Sequence, residues 1–291
     1  MSASSFSERC QRSVLLSRYT SFGIGGPADF FCVVKTVAEL QEALAWADEH
    51  SISCMVLGKG SNTLFSDHGY PGLVILNQMV GVTSVKETAS FSVGSGLSFA
   101  QLGLMTARLG FAGLEFAAGI PGTVGGAVVM NAGAFGQETF DTLVSVDLLD
   151  ETREVQRKER EALSFGYRYS EFLGGRSIIV GANFSLRKDD EVAERQKQMM
   201  QKRRISQPYM ARSAGSVFRN PPGTSAAMLI DAAGLKGRRC GGASVSTMHA
   251  NFIINQGDAT AEDVCSLISL VQEEVHQRSG VWLEHEIRVI G

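Results

Sequence analysis

Residues 113–136 read GLEFAAGIPGTVGGAVVMNAGAFG, seven glycines in twenty-four residues, with no charged side chain between Phe116 and Gln137. Three kinds of structure use so much bare backbone: a membrane helix packed through small residues, a loose linker, or a surface where backbone approaches a ligand closely. A membrane span needs about 20 apolar residues and favours small ones at helix contacts. Pro121, Thr123 and Asn131 argue against a span, and glycine itself lowers the hydropathy. A linker is polar and rich in Ser or Lys, whereas Ile120, Val124, Val128, Val129 and Met130 seek burial. Close approach to a ligand is the reading that remains.

Glycine is abundant elsewhere too, 32 of 291 residues, with clusters at 23–26, 58–60, 94–96, 119–126 and 234–242. The length suggests about two domains, and a hydrophobic content of 44% is enough for sizeable cores. The five cysteines are odd in number and form no CxxC pair or paired His spacing, which argues against a zinc site and for a reducing compartment. Arg9, Arg12 and Arg18 precede no apolar signal core, so a soluble cytoplasmic protein without membrane insertion is expected. The net charge of −3 hides a basic run: residues 195–239 hold ten Lys or Arg and one acid, Asp231. That run reads as a solvated face or as a pocket for an anion. Nucleic acid is disfavoured, because the run lacks interleaved aromatics and the rest of the chain is acidic.

Along the chain, Phe30–Val34 reads as a strand, and Thr36 with Glu39 as a capping box opening a helix that faces inward through Val37, Leu40, Leu44 and Ala47. CMVLGKGSN, Cys54 to Asn62, is a short apolar strand running into a glycine turn. Further strands are expected at 73–76, 82–85, 91–93, 143–149, 177–184 and 252–254, and Ser98 with Gln101 is expected to cap a helix over Leu102 and Met105. A polar helix from about Asp190 must end before Pro208. Helices are expected at 224–233, ended by Gly234, and at 260–278. The closing VWLEHEIRVIG alternates, with Leu283, Ile287 and Val289 on one side and Glu284, Glu286 and Arg288 on the other.

No GxxxxGK[ST] occurs, and the one GxGxxA match, Gly23 to Ala28, precedes a strand where the dinucleotide fingerprint requires a helix. GKGSN at Gly58, Lys59, Gly60, Ser61 and Asn62 follows an apolar strand and can turn amides inward as a phosphate nest, or can be an ordinary turn. GIPGTVGG (Gly119, Ile120, Pro121, Gly122, Thr123, Gly125, Gly126) provides a second surface, with a helix start near Thr123 whose free amides favour anions. Together the two surfaces could clamp a diphosphate.

GKGSN followed some sixty residues later by GIPGTVGGAVVMNAGAFG resembles an FAD domain of the vanillyl-alcohol-oxidase (PCMH) type. With RYTSFGIGGPADFF, YRYSEF, AGSVFRNPPG, LIDAAGLKG, HANFIIN and LEHEIRVIG in order, nearly the whole chain resembles the UDP-N-acetylenolpyruvoylglucosamine reductase (UDP-N-acetylmuramate dehydrogenase) family of peptidoglycan synthesis. The resemblance implies an α+β flavoprotein, with FAD-binding subdomains at 1–80 and 81–190 and an α/β substrate-binding domain at 191–291. It implies that both glycine segments hold FAD non-covalently, and that NADPH reduces the flavin before a UDP-sugar enolpyruvate is reduced. Three residues match the family's catalytic positions. Arg168 would polarise the enolpyruvyl carboxylate, Ser216 would donate the proton, and Glu286 would assist. A fixed cation suits the enediolate left when a hydride from flavin N5 reaches the terminal carbon. So basic a centre can be protonated even by a well-placed serine hydroxyl.

Each of the three also has a plain structural reading: a turn serine, a surface ion pair, and the solvent face of an edge strand. His249 reads as a structural histidine. Arg219 and Asn220 are expected to hold the substrate by charge-assisted bonds, with Lys236, Arg238 and Arg239 as weaker candidates. Arg219 stands where the family commonly has lysine, which keeps the charge and changes the geometry. Few residues separate YRYSEF from the strand near Ser177, so the chain resembles the shorter subtype without a substrate-clamping tyrosine insertion. Two other classes stay open at this level: a flavin oxidase of the same fold, and a nucleotide-sugar binding module without catalysis.

Overall fold

The computed structural model describes residues 6–291 as an α+β chain that divides into two compact units. One comprises Cys32–Gly58 and Ile75–Arg203 with Phe6 and Ser7, the other Glu8–Phe31, Lys59–Val74 and Arg204–Gly291. This grouping differs from a simple division at residues 80 and 190. Phe22, Ile24 and Leu64 belong to the core of the C-terminal part, and Thr63–Phe65 pairs in parallel with Arg288–Ile290.

The first unit is built on an antiparallel five-stranded sheet in the order Val155–Glu159, Leu143–Leu149, Ile178–Ser185, Ser90–Gly94, Val82–Val85. Register is fixed by buried pairs such as Phe184 opposite Phe91 and Leu148 opposite Ile179. Against its inner face lie Phe99 and Leu102 of the helix Phe99–Arg108, Phe116, and Val124 and Val128 of the helix Val124–Val129, in one continuous core. Ser98 sits at the N-cap of the first of these helices but makes no side-chain cap bond, contrary to expectation. The helix Val37–Glu49 opens as expected on Thr36, whose hydroxyl accepts from the Glu39 amide at 3.2 Å. Only half the capping box forms, because the Glu39 carboxylate turns to the Lys35 amide at 2.6 Å.

In the second unit a small antiparallel sheet (Arg239–Cys240, Ala243–Val245, Ile253–Asn255) packs with the helix Ala261–Ser279 through Val264, Leu267, Ile268, Val271 and Val275. That helix has unusually complete ends. Thr260 and Asp263 form a reciprocal capping box, and the Asp67 carboxylate accepts from the amides of Ala261 at 2.9 Å and Glu262 at 3.2 Å. Gly280, at φ +74°, closes the other end on the carbonyl of His276. The closing alternation holds only in part. Leu283 and Ile287 are buried, but the strand is just Arg288–Ile290 and Val289 is exposed.

Candidate active site

In the first unit the glycine-rich stretch forms the 3-10 turn Glu115–Ala117, an open loop, and the helix Val124–Val129, six residues long. Thr123 caps the helix, its hydroxyl accepting from the Gly126 amide at 3.3 Å. The sequence predicts amides here free for an anion, and the fold spends them internally: Val124 N–H goes to the Leu97 carbonyl and Gly125 N–H to that of Ser95, both at 2.8 Å. The bareness of the backbone is what this segment offers instead. Gly119 and Gly122 lie at φ +87° and +131°, conformations that exclude most side chains, and Pro121 and Gly126 are exposed. A Cβ on Gly126 would touch nothing closer than the Thr123 hydroxyl at 3.5 Å. Such a surface fits a flat cofactor lying against main chain.

Gly58, which opens the first glycine loop, lies against this segment: a Cβ there would stand 2.5 Å from Oγ1 of Thr123. The remaining residues of the loop belong to the second unit. Gly60 has φ +57° and presses on the backbone of Tyr19 and Thr20. Partial burial lowers the Lys59 ammonium below the usual lysine value, although the residue as a whole remains exposed. Asn62 turns inward. Its Nδ2 donates to the Glu286 carbonyl at 3.1 Å, and its own carbonyl accepts from Arg288 N–H at 2.9 Å.

Arg168 occupies the second position of a two-residue hairpin loop between Phe165–Gly166 and Tyr169–Ser170, at φ +54°. A bulky side chain in the left-handed region is an outlier that the surroundings must enforce. They do so here through the residues just after the helix Val124–Val129. Nη2 donates to the Gly133 carbonyl at 2.8 Å and Nη1 to that of Asn131 at 3.4 Å. The Tyr167 ring lies 4.8 Å from the guanidinium carbon, and Glu138 Oε1 is 3.8 Å from Nη1. With its side chain 17% exposed, Arg168 is no surface ion pair.

The second unit brings Ser216 and Glu286 together. The Glu286 amide donates to the carbonyl of Val217 at 2.6 Å, and Ser216 bridges to Phe252. Behind them the buried Asn251 of the HANFIIN motif holds the segment twice over. Its carboxamide accepts from Phe218 N–H at 2.9 Å and returns a bond to the Phe218 carbonyl at 2.8 Å. Arg219 N–H pairs with the Glu284 carbonyl at 2.8 Å. The side-chain oxygen of the exposed Asn220 accepts from the Ala226 amide at 3.1 Å, a structural duty beside any ligand contact. Lys236 pairs with Asp231 at 2.7 Å. His249 takes the structural role expected of it. Its Nδ1 accepts from the Asn251 amide at 3.3 Å, and burial, then nearby Lys236, push its pKa down.

The residues that sequence reasoning did not single out are Asn131, Glu138 and Asn251. Asn131 and Asn251 stand inside quoted motifs, and what marks them is a carboxamide bonded to groups elsewhere in the fold, backbone for Asn251 and backbone plus the Glu138 carboxylate for Asn131, which only coordinates display. Among the described residues no group of His, Cys, Asp and Glu could hold a metal ion, and no helix is long and apolar enough to cross a membrane.

Comparisons with known proteins identify the family. Residues 207–290 match a family described as the C-terminal domain of UDP-N-acetylenolpyruvoylglucosamine reductase, and residues 28–158 match an FAD binding domain. A UDP-N-acetylenolpyruvoylglucosamine reductase of Protochlamydia amoebophila is 48% identical over 280 residues, covering 96% of this chain and 93% of the relative. One from Chlamydia abortus is 44% identical over 96% of this chain and 94% of its own length. The crystal structure of the corresponding reductase from Thermus caldophilus is similar with a TM-score of 0.84 at 39% identity, over 97% of this chain and 99% of that one. The chain therefore belongs to the UDP-N-acetylenolpyruvoylglucosamine reductase family of FAD-binding oxidoreductases.

Proposed function

We propose that this chain reduces UDP-N-acetylglucosamine enolpyruvate to UDP-N-acetylmuramate for peptidoglycan precursor synthesis in the cytoplasm, with NADPH as the source of reducing equivalents. Residues 1–80 and 81–190 would serve as FAD-binding subdomains and 191–291 as the substrate-binding domain. The family supports this reading, and the single observation that carries it is Arg168. A cation locked in a left-handed hairpin position by two carbonyls is costly to build and suited to recognising an anionic group such as a carboxylate.

FAD would be held without a covalent bond by Gly58, Lys59, Gly60, Ser61 and Asn62 and by the bare backbone from Gly119 to Gly126. When bound, it supplies a hydride to the terminal carbon of the enol ether. Arg168 binds the carboxylate and stabilises the negative charge that grows on it. Ser216 delivers the proton from Oγ to the neighbouring carbon, and Glu286, fixed beside it through the Val217 carbonyl, assists that transfer. Arg219 contributes charge, and Asn220 a side-chain amide, toward the sugar nucleotide.

The test is spectroscopic. Under anaerobic conditions NADPH bleaches the flavin bands, and UDP-N-acetylglucosamine enolpyruvate restores them. Ser216→Ala leaves the bleaching intact and slows the restoration by about two orders of magnitude or more. Bands that return only with oxygen would indicate an oxidase, and a colourless protein that takes up no FAD would sink the assignment.

A further inference from the structure

The helix Val124–Val129 carries Gly125 and Gly126 at its start, and the chain leaves its other end through Asn131. Asn131 is completely buried, at φ +40°, a conformation that asparagine tolerates better than most residues. Every polar group of its carboxamide is used. Nδ2 donates to Glu138 Oε2 at 2.7 Å and to the Gly166 carbonyl at 3.0 Å, while Oδ1 accepts from the Phe140 amide at 3.1 Å. Its main-chain carbonyl, with that of Gly133, receives the guanidinium of Arg168.

Gly166 belongs to the hairpin whose loop presents Arg168. The same hairpin is tied a second time, through the buried Ser170, whose hydroxyl donates to the Val129 carbonyl at 2.7 Å. The Arg168 loop is therefore clamped to the end of the helix at residues 129, 131 and 133, and one carboxamide joins three of the segments involved. Glu138 completes the clamp. Its carboxylate is gripped by Asn131 at 2.7 Å and stands 3.8 Å from Arg168, so it faces the cation without closing on it.

We propose that Asn131 and Glu138 form a positioning pair for Arg168, holding the guanidinium at a set place relative to the glycine segment where the cofactor lies. A misplacement of about 1 Å in such a group can lower a rate by about a hundredfold. The inference rests on the reading of Arg168 as the carboxylate holder. It concerns only the half-reaction with the enolpyruvyl substrate, because the transfer from NADPH needs no carboxylate recognition.

The experiment uses the FAD-loaded full-length protein and follows the two half-reactions separately, together with the affinity for UDP-N-acetylglucosamine enolpyruvate read from its perturbation of the oxidised flavin spectrum. Asn131→Asp removes the Nδ2 donor and sets a carboxylate against that of Glu138. It is expected to leave bleaching by NADPH within about twofold of wild type, to weaken substrate binding about tenfold and to slow reoxidation by substrate about 10- to 100-fold. Asn131→Asp combined with Glu138→Gln restores a donor and acceptor between the two positions but not the bond to the Gly166 carbonyl, and should recover part of both losses. A purely structural role would not give recovery confined to one half-reaction. Where Asn131→Asp does not fold, Asn131→Gly accepts the positive φ and removes only the carboxamide; the same selective loss is expected.

Arg168→Lys separates the two ideas. Slow reoxidation in Arg168→Lys with normal reoxidation in both Asn131 variants overturns the positioning pair and leaves the role of Arg168 standing. Normal reoxidation in Arg168→Lys removes the role of Arg168 and the pair with it. Parallel loss of flavin and of both half-reactions in the Asn131 variants, unrelieved by Glu138→Gln, also overturns the proposal.

Discussion

Asn62 and Glu286 are 224 positions apart and joined by the bond from the Asn62 carboxamide to the Glu286 carbonyl, with Arg288 N–H returning to the Asn62 carbonyl. The last residue of the GKGSN loop thus fixes the main chain that carries a proposed catalytic carboxylate. Asn62→Ala is expected to lower stability by about 1–2 kcal/mol, measured by urea unfolding. It is also expected to slow reoxidation by substrate more than reduction by NADPH. Equal effects on both half-reactions would show that the bond serves the cofactor loop alone.

The glycines of that loop are expected to differ in how they can be rescued. In Gly58→Ala the new methyl meets the hydroxyl and Cγ2 of Thr123, both of which Thr123→Ala removes. Each single change should destabilise, Thr123→Ala by about 1 kcal/mol through loss of a helix cap, and the double variant should lose clearly less than the sum. Gly60→Ala meets the Tyr19 carbonyl oxygen at a positive φ, and no side-chain change relieves that. It should cost more than about 2 kcal/mol and fail to respond to Thr123→Ala. Thermal denaturation of the five variants beside wild type decides this.

Stability should fall as the medium becomes mildly acidic, in part through His249. Burial and Lys236 favour its neutral ring in the folded state, so its folded pKa lies below the unfolded value of about 6.5. Its contribution is complete above that value and is lost as pH falls below it toward the folded pKa. Between pH 7 and 5 the melting temperature of wild type should drop more steeply than that of His249→Asn, whose side-chain oxygen can take the Asn251 amide without titrating. Parallel curves would show that His249 is not the group responsible.

The helix Ala261–Ser279 gives a second acid-sensitive element in a lower range. Amides of Thr260 and Gly242 hold the Asp263 carboxylate below its ordinary pKa. Its stabilising effect is therefore present above about pH 4 and lost as pH falls through the folded value. Asp263→Asn should be less stable than wild type at neutral pH, with the gap closing at pH 3. Asp67→Ala, which strips the helix of two amide acceptors, should cost about 1–2 kcal/mol at neutral pH. Urea midpoints across that pH range provide the check.

Much of the local structure was legible because its signals are local. Thr36, Thr123 and Thr260 cap helices as their positions suggest, and Leu143–Leu149 forms a strand over the expected residues. Ser98 failed as a capping signal since propensity says where a hydroxyl could bond and not where it points. The amides after Thr123 looked free because Ser95 and Leu97, which take them, lie more than twenty residues away in the chain. The alternation of the last residues weakened at Val289 because the strand there is short and that side chain is exposed.

What the sequence determined by itself was composition, the order of short motifs and, through them, the family, all properties of neighbouring residues. What only the tertiary structure decided was which distant groups share a hydrogen bond: Asn62 with Glu286, Asn131 with Gly166, Asn251 with Phe218, Asp67 with the start of a helix. Such pairings close loops of tens to hundreds of residues, and closing a loop is opposed by an entropy that no local propensity offsets. They form when apolar side chains such as Phe22, Leu64 and Ile287 are buried together in one core. The strained position of Arg168 belongs to that second class, since its φ is enforced by carbonyls at residues 131 and 133 and not by its own preference.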